Sequence, residues 1–235
     1  VNNLAHFMYA FFEDGETELI VKALESLGEG ACHSKDIVRE RAVMVISIFI
    51  GICMQKNEDY FNEIFSTILV RWLKEEEEFI AGFEIVCHQL QQQLLQLLEK
   101  KKWAEAEDLL IIVHQISIGI IKKSNIIKRV VARVQNQLAS DVLIEELLKG
   151  YLDPYSNQKQ ITESVLIHLG PKSLSYLVKS LASEENRERR FKLLELIPDN
   201  EQVFSLLKDE LKSDPPWYVT RNCILLLSRK DDKQY

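Results

Sequence analysis

The amino-acid sequence predicts an all-α protein of about 13 helices, stacked as antiparallel pairs into an α-solenoid. Three observations carry that expectation. Apolar residues recur at i, i+3, i+4 spacing through most of the chain. Only eight glycines and five prolines punctuate 235 residues, too few for turn-rich β structure. The C-terminal part also matches itself when shifted by 30 or 31 positions, the mark of stacked helix-turn-helix units that cannot bury their apolar faces alone.

In chain order, residues 3–12 place Leu4, Phe7, Met8, Phe11 and Phe12 on one face, and Asp14-Gly15 ends that helix. Residues 16–27 follow, with Leu19, Ile20, Ala23, Leu24 and Leu27 expected inward and Gly28 as the stop. Residues 35–55 form a long third helix. Its start turns Ile37 and Val38 inward and Arg39, Glu40 and Arg41 outward; its second half is apolar nearly all round, so neighbours must cover it on several sides. Asn57 is placed to cap a helix over 58–74. Residues 75–102 read as one long helix with a seam from Phe79 through Phe83 to Leu98. Acidic Glu75 to Glu78 at its start and basic Lys100 to Lys102 at its end would both complement the macrodipole. A helix over 103–119, with Ile120 in its seam, and one over 126–138 capped by Asn125 complete this half. Lys122, Lys123, Lys128, Arg129 and Arg133 form a local basic cluster there.

From Ser140 the pattern changes. All five prolines lie beyond this point, and the predicted helices shorten to about 10–14 residues. Ile144, Leu147 and Tyr151 superpose on Leu174, Leu177 and Leu181, and these on Phe204, Leu207 and Leu211. Leu193, Leu194 and Leu196 superpose on Ile224, Leu225 and Leu227. Turns recur at Asp153-Pro154, Ser183-Glu184 and Asp214-Pro215, the last preceded by Ser213. Two regions are therefore expected: 1–139, with long helices that are divergent repeats or a bundle, and 140–235, repeat-built and continuous with the first.

These residues resemble the HEAT-repeat superfamily in its short bacterial form, most strongly over 140–229. The likeness rests on the acidic residue and proline of the turn, then Val219 and Arg221 early in the second helix; Asp36, Val38, Arg39 and Ala42 echo it. The resemblance implies a right-handed superhelix with an Asp–Arg ladder, pairing Asp214 with Arg221 and Glu184 with Arg190. Gln160 stands where the first ladder arginine would fall. The run Lys102-Trp103-Ala104-Glu105-Ala106 resembles the opening of a tetratricopeptide unit, seen once.

A formal net charge of −7 argues against general nucleic-acid binding, and no apolar run reaches the roughly 20 residues of a membrane span. Cys32, Cys53, Cys87 and Cys223 show no CxxC spacing and read as reduced thiols in a cytoplasmic setting. Cys32-His33 and Cys87-His88 could hold zinc only if the fold joined them, so no metal is expected. Glu84 and His88 share a helix face without an HExxH motif, and His114 and His168 read as core histidines. No GxSxG, P-loop or glycine-rich dinucleotide motif occurs, so no catalytic residue and no cofactor is expected.

The expected function is a non-enzymatic protein-interaction scaffold, binding a partner protein or another domain of its own chain. Its candidate binding residues are Arg187, Arg190, Trp217, Tyr218, Arg221 and Asn222, since arginine and exposed aromatics are enriched at interface hot spots. The alternatives are a HEAT-like DNA glycosylase, alike in architecture only, and an accessory lyase- or chaperone-type activity. Val1 in place of Met reads as a fragment of a longer chain, and Leu225 to Leu227 predict an apolar edge at the last helix.

Overall fold

The structure is a computed structural model that describes residues 2–198, 201–212 and 214–231. Ser213 of the predicted turn and the tail 232–235 lie outside the described residues. Among the described residues there are thirteen helices and no strand. The chain divides into two compact units, Val1–Leu138 and Ala139–Tyr235. In each, neighbouring helices pack as in a helical-repeat solenoid.

The first unit holds α1 (Asn2–Glu13), α2 (Thr17–Ala31), α3 (Asp36–Gln55), α4 (Asn62–Glu75), α5 (Phe83–Glu99), α6 (Trp103–Ile118) and α7 (Asn125–Leu138). They form two layers. α1, α3, α5 and α7 lie side by side in one, α2, α4 and α6 in the other, and α2–α3, α5–α6 and α6–α7 contacts join them. α3 is thus covered on three sides, which its nearly all-round apolar second half requires. Phe49, Phe61 and Phe65 fill the space between layers with Tyr9 and Phe12, ring centroids 4.9–6.4 Å apart.

Several expectations for this unit are corrected. α2 runs through Gly28 to Ala31, because Gly28 and Gly30 serve as close-approach points: a Cβ there would lie 3.1 Å from Ile68 and 3.2 Å from Ala42. At the start of α3, Ile37 faces solvent and Arg39 is the more buried. α1 buries Ala5 and Met8 and leaves Leu4, Phe7 and Phe11 exposed, and Leu19 of α2 is exposed too. Asn57 caps nothing: it sits at φ 56° in a turn and accepts from Lys100 Nζ at 2.6 Å, while α4 starts only at Asn62. Asn125 is already helical, and Ser124 Oγ accepts from Ile127 N at 3.4 Å. Ile120 is 66% exposed.

The predicted helix over 75–102 is broken. α4 ends at Glu75, a loop over 76–82 follows, and α5 begins after Gly82 at φ 84°. The acidic run therefore does not sit at a helix start. Its second residue, Glu76, is drawn inside by Arg39, which holds it through Nε–Oε2 (3.0 Å) and Nη2–Oε1 (3.3 Å) bonds. This bidentate geometry is what a desolvated carboxylate needs. Lys100 and Lys102 likewise lie beyond α5 and both reach Asp59 at 3.0 Å.

The second unit holds α8 (Asp141–Leu152), α9 (Lys159–His168), α10 (Pro171–Ser183), α11 (Arg187–Leu196), α12 (Glu201–Lys212) and α13 (Trp217–Asp231). α8, α10 and α12 pack in series, with α9, α11 and α13 against them. The 30-residue register of the first helices holds in their burial: Ile144, Leu147 and Tyr151, then Leu174, Leu177 and Leu181, then Phe204 and Leu207. The second helices follow a different register. α9 with its C-cap residue buries Thr162, Val165, Leu166 and Leu169, and α13 buries Val219, Asn222, Cys223 and Leu226 with the same 3-1-3 spacing. The superposition of Leu193 and Leu194 on Ile224 and Leu225 is therefore overturned, since the first two are buried and the last two exposed.

Helix ends in this unit are closed by neighbours. Lys192 Nζ donates to Leu152 O at 2.9 Å, at the end of α8. Asn222 Nδ2 donates to Leu181 O and Ala182 O, at the end of α10. Helices leave their last carbonyls without intrahelical partners, and donors at that end also meet the negative pole of the dipole.

Candidate partner-binding surface

α11 begins where Asn186 Oδ1 accepts from Glu188 N (2.9 Å) and Arg189 N (3.1 Å). Arginines in a first helical turn oppose the macrodipole, so each needs a compensating acceptor. Arg190, the fourth helical residue, finds it by reaching back: Nη1 donates to Glu184 O (3.3 Å) and to Glu185 O. Arg39, the fourth residue of α3, does the same with His33 O (3.1 Å) and Ser34 O (3.3 Å). The two units thus share one device, an arginine gathering the two carbonyls that precede its helix.

α13 begins after Pro215-Pro216, where Pro216 O accepts from Val219 N (3.0 Å) and Thr220 N (3.2 Å). Its first residue, Trp217, is 73% exposed. One turn on, the Arg221 guanidinium lies over the indole at 5.0 Å, a cation–π stack at i, i+4. Tyr218 is half-buried and meets Trp217 edge-on at 6.3 Å. Arg221 also donates through Nε and Nη2 to Asn222 Oδ1 at 3.4 and 3.2 Å. Asn222 Nδ2 in turn lies 3.3 Å from Glu184 O, the carbonyl that Arg190 uses. Arg190, Asn222, Arg221 and Trp217 are therefore one connected chain through Glu184.

Two expectations change here. Asn222 is 0% exposed and meets no partner surface; it positions Arg221 and closes α10. The ladder pairs do not form as carboxylate–guanidinium bonds. Arg190 takes the carbonyl of Glu184, whose carboxylate accepts from Asn186 N (2.8 Å) and lies 4.0 Å from Arg189. Arg221 is engaged by Trp217 and Asn222, and Asp214 stands in a left-handed turn at φ 51°. Arg187 is separate from the chain and lies over Phe191 at 5.7 Å. Phe191, exposed on α11, is the surface aromatic that sequence reasoning missed. Its signal was the Arg187–Phe191 spacing of four, the mirror of Trp217–Arg221.

The other candidates are dispersed. Cys87 is buried in the core while His88 is exposed. Cys32 is half-buried, and His33 Nδ1 accepts from Lys35 N at 3.1 Å. Among the described residues no group of three His, Cys, Asp or Glu side chains converges as a metal site. Burial raises all four thiols, Cys32, Cys53 and Cys87 to about 12, which keeps them protonated and poor nucleophiles. His114 Nδ1 accepts from Gln135 Nε2 at 2.8 Å, and His168 Nδ1 donates to Ser164 O at 2.7 Å. Among the described residues no helix is long and apolar enough to cross a membrane. No protein-family model matches this chain, and neither the curated proteins nor the solved structures contain a significant match to it.

Proposed function

We propose that this chain is a non-enzymatic scaffold of HEAT-repeat type, binding a partner protein or another domain of its own polypeptide through α11 and α13. One observation carries the reading: Trp217 stands out in solvent yet is held in place by a stack on Arg221, which Asn222 tethers to the end of α10. An exposed indole costs less to bury on binding when it is already ordered. Arg187 over Phe191 repeats the combination on the neighbouring second helix. Aromatic faces beside guanidinium groups favour a partner segment with an apolar side chain next to a carboxylate. The overall charge of −7 disfavours a polyphosphate in its place.

Panning a random 12-residue peptide library against the protein tests this. Enrichment of peptides pairing Asp or Glu with an apolar residue is expected. Trp217→Ala and Arg221→Ala should each weaken the selected peptides at least tenfold while circular dichroism stays unchanged. Peptides that bind the folded variants as tightly as the parent would remove this face from consideration.

A further inference from the structure

The first unit carries two neighbouring stretches of opposite charge that its own packing uses only in part, since Glu75 pairs with Arg71 and Glu76 with Arg39 while Glu77, Glu84, Lys122, Arg129 and Arg133 are exposed. From 75 to 84 the chain has five glutamates and no Lys or Arg; from 109 to 140 it has five Lys or Arg and no Asp or Glu. In the fold these stretches meet. Lys123 Nζ donates to Lys74 O and Glu76 O at 2.7 Å each, fastening the loop between α6 and α7 to the end of α4 and the loop that follows it. α5 and α7 lie side by side in the same layer, so their first turns stand together at one end of the unit.

Each side exposes large apolar groups close in the chain to exposed charged ones. On the acidic side Phe79 and Ile85 are exposed beside Glu77 and Glu84; Glu78 there is 3.7 Å from Arg39 and partly neutralised. On the basic side Ile118, Ile120 and Ile126 are exposed beside Lys122, Arg129 and Arg133. Ile126, Arg129 and Arg133 share a helix face by their i, i+3, i+7 spacing. Exposed apolar groups combined with polar and charged ones are what a protein interface is made of. The aliphatic, aromatic-free basic side offers no platform for stacked bases, and the glutamates next to it would repel an anionic membrane.

We infer that this end of the first unit pairs with a second copy of the same chain about a two-fold axis, the acidic side of each copy against the basic side of the other. Two adjacent patches of opposite sign are self-complementary under such an operation, because both contacts form at once. The site uses no residue of α11 or α13, so it stands or falls independently of the scaffold reading.

The test is sedimentation equilibrium of the whole chain, with Glu77→Lys/Glu84→Lys (all-basic), Lys122→Glu/Arg129→Glu (all-acidic) and their equimolar mixture. All four substituted residues are exposed, and circular dichroism confirms folding. The parent is expected to dimerise with at least tenfold weaker association in roughly 0.5 M than in roughly 0.05 M salt, since screening shortens the Debye length several-fold. Each double variant should associate at least tenfold more weakly than the parent, and the mixture should regain heterodimers, because both cross-contacts are then attractive again. A parent that stays monomeric at about 100 μM in low salt overturns the inference, as does a dimer that neither variant weakens or a mixture that fails to recover. Binding to vesicles containing phosphatidylserine, without self-association, would also overturn it in favour of a lipid surface.

Discussion

The two units build their cores from different side chains, although both also leave aromatics in solvent, Phe7, Phe11, Tyr60 and Phe79 in the first. In the first, Phe49, Phe61, Phe65, Trp72 and Phe83 are all but fully buried, packed ring on ring between two layers of long helices. In the second, Tyr155, Phe191 and Trp217 stand in solvent, and the core is mostly Leu, Ile and Val, with Tyr151 and Phe204 as its aromatic members. Helices there are 10–15 residues against 12–20 in the first unit, and it carries all five prolines. Short helices bury less apiece, and more of their backbone lies at ends that need partners. The second unit meets that need with side chains from the following repeat, Lys192 and Asn222. The first relies on a thick aromatic core and a buried ion pair. The lesson is that a repeat whose helix ends are closed by its neighbours needs fewer aromatics in its core.

Four substitutions and a titration would sharpen or break this contrast. Phe61→Ala, at the centre of the ring cluster, should cost the first unit about 3–5 kcal/mol in urea unfolding; a cost below about 1 kcal/mol would deny that the aromatic core dominates there. Next comes Glu76→Ala, which leaves Arg39 without its bidentate partner, Glu76 being 1% exposed at its side chain and Arg39 14%. A loss of about 3 kcal/mol is expected, and Arg39→Met/Glu76→Leu should recover most of it.

Asn222→Ala should cost about 2 kcal/mol, because Ala182 O loses this donor and Leu181 O keeps only Glu184 N at 3.3 Å. It should also free Arg221, read as lost peptide binding with Trp217 intact. Retained binding in that variant would separate the cap from the surface. Trp217→Ala should shift stability by no more than about 0.5 kcal/mol, as expected for an exposed side chain; a large loss would mean that the indole belongs to the core after all.

The smallest effect concerns Asp59. Burial pushes its carboxyl up, but hydrogen bonds from Lys100 and Lys102 outweigh burial and hold it below the ordinary aspartate range. A depressed folded-state pKa stabilises above the unfolded value, about 3.9, and that stability is lost as pH falls through the folded one. Asp59→Asn should accordingly flatten the acid limb of the stability curve below about pH 4. Equal acid sensitivity in parent and variant would show that the two lysines do not hold this carboxylate.

Much of the helical framework was legible because apolar spacing is a local property. The periodicity of Ile144, Leu147 and Tyr151 reappears as burial, and the long apolar half of α3 is covered on three sides. Of the surface, Trp217 and Arg221 could be named from residue type and a spacing of four. Asn222 could not be assigned correctly, because nothing local says that a polar side chain 41 residues on, in the next repeat, will be the nearest donor to Leu181 O.

What the sequence by itself determined was the all-helical class, the change of style near residue 140 and the arginine-aromatic composition of the last helices; each follows from periodicity, proline placement and side-chain chemistry within a few residues. The tertiary structure alone decided the break inside 75–102, the inward turn of Arg39 and Glu76, the packing of Gly28 and Gly30, and the linkage of Arg190 to Arg221 through one carbonyl of Glu184. Those depend on which groups are drawn together across a dozen or more residues, where desolvated charge and unpaired backbone carbonyls must find partners whatever the local pattern favours.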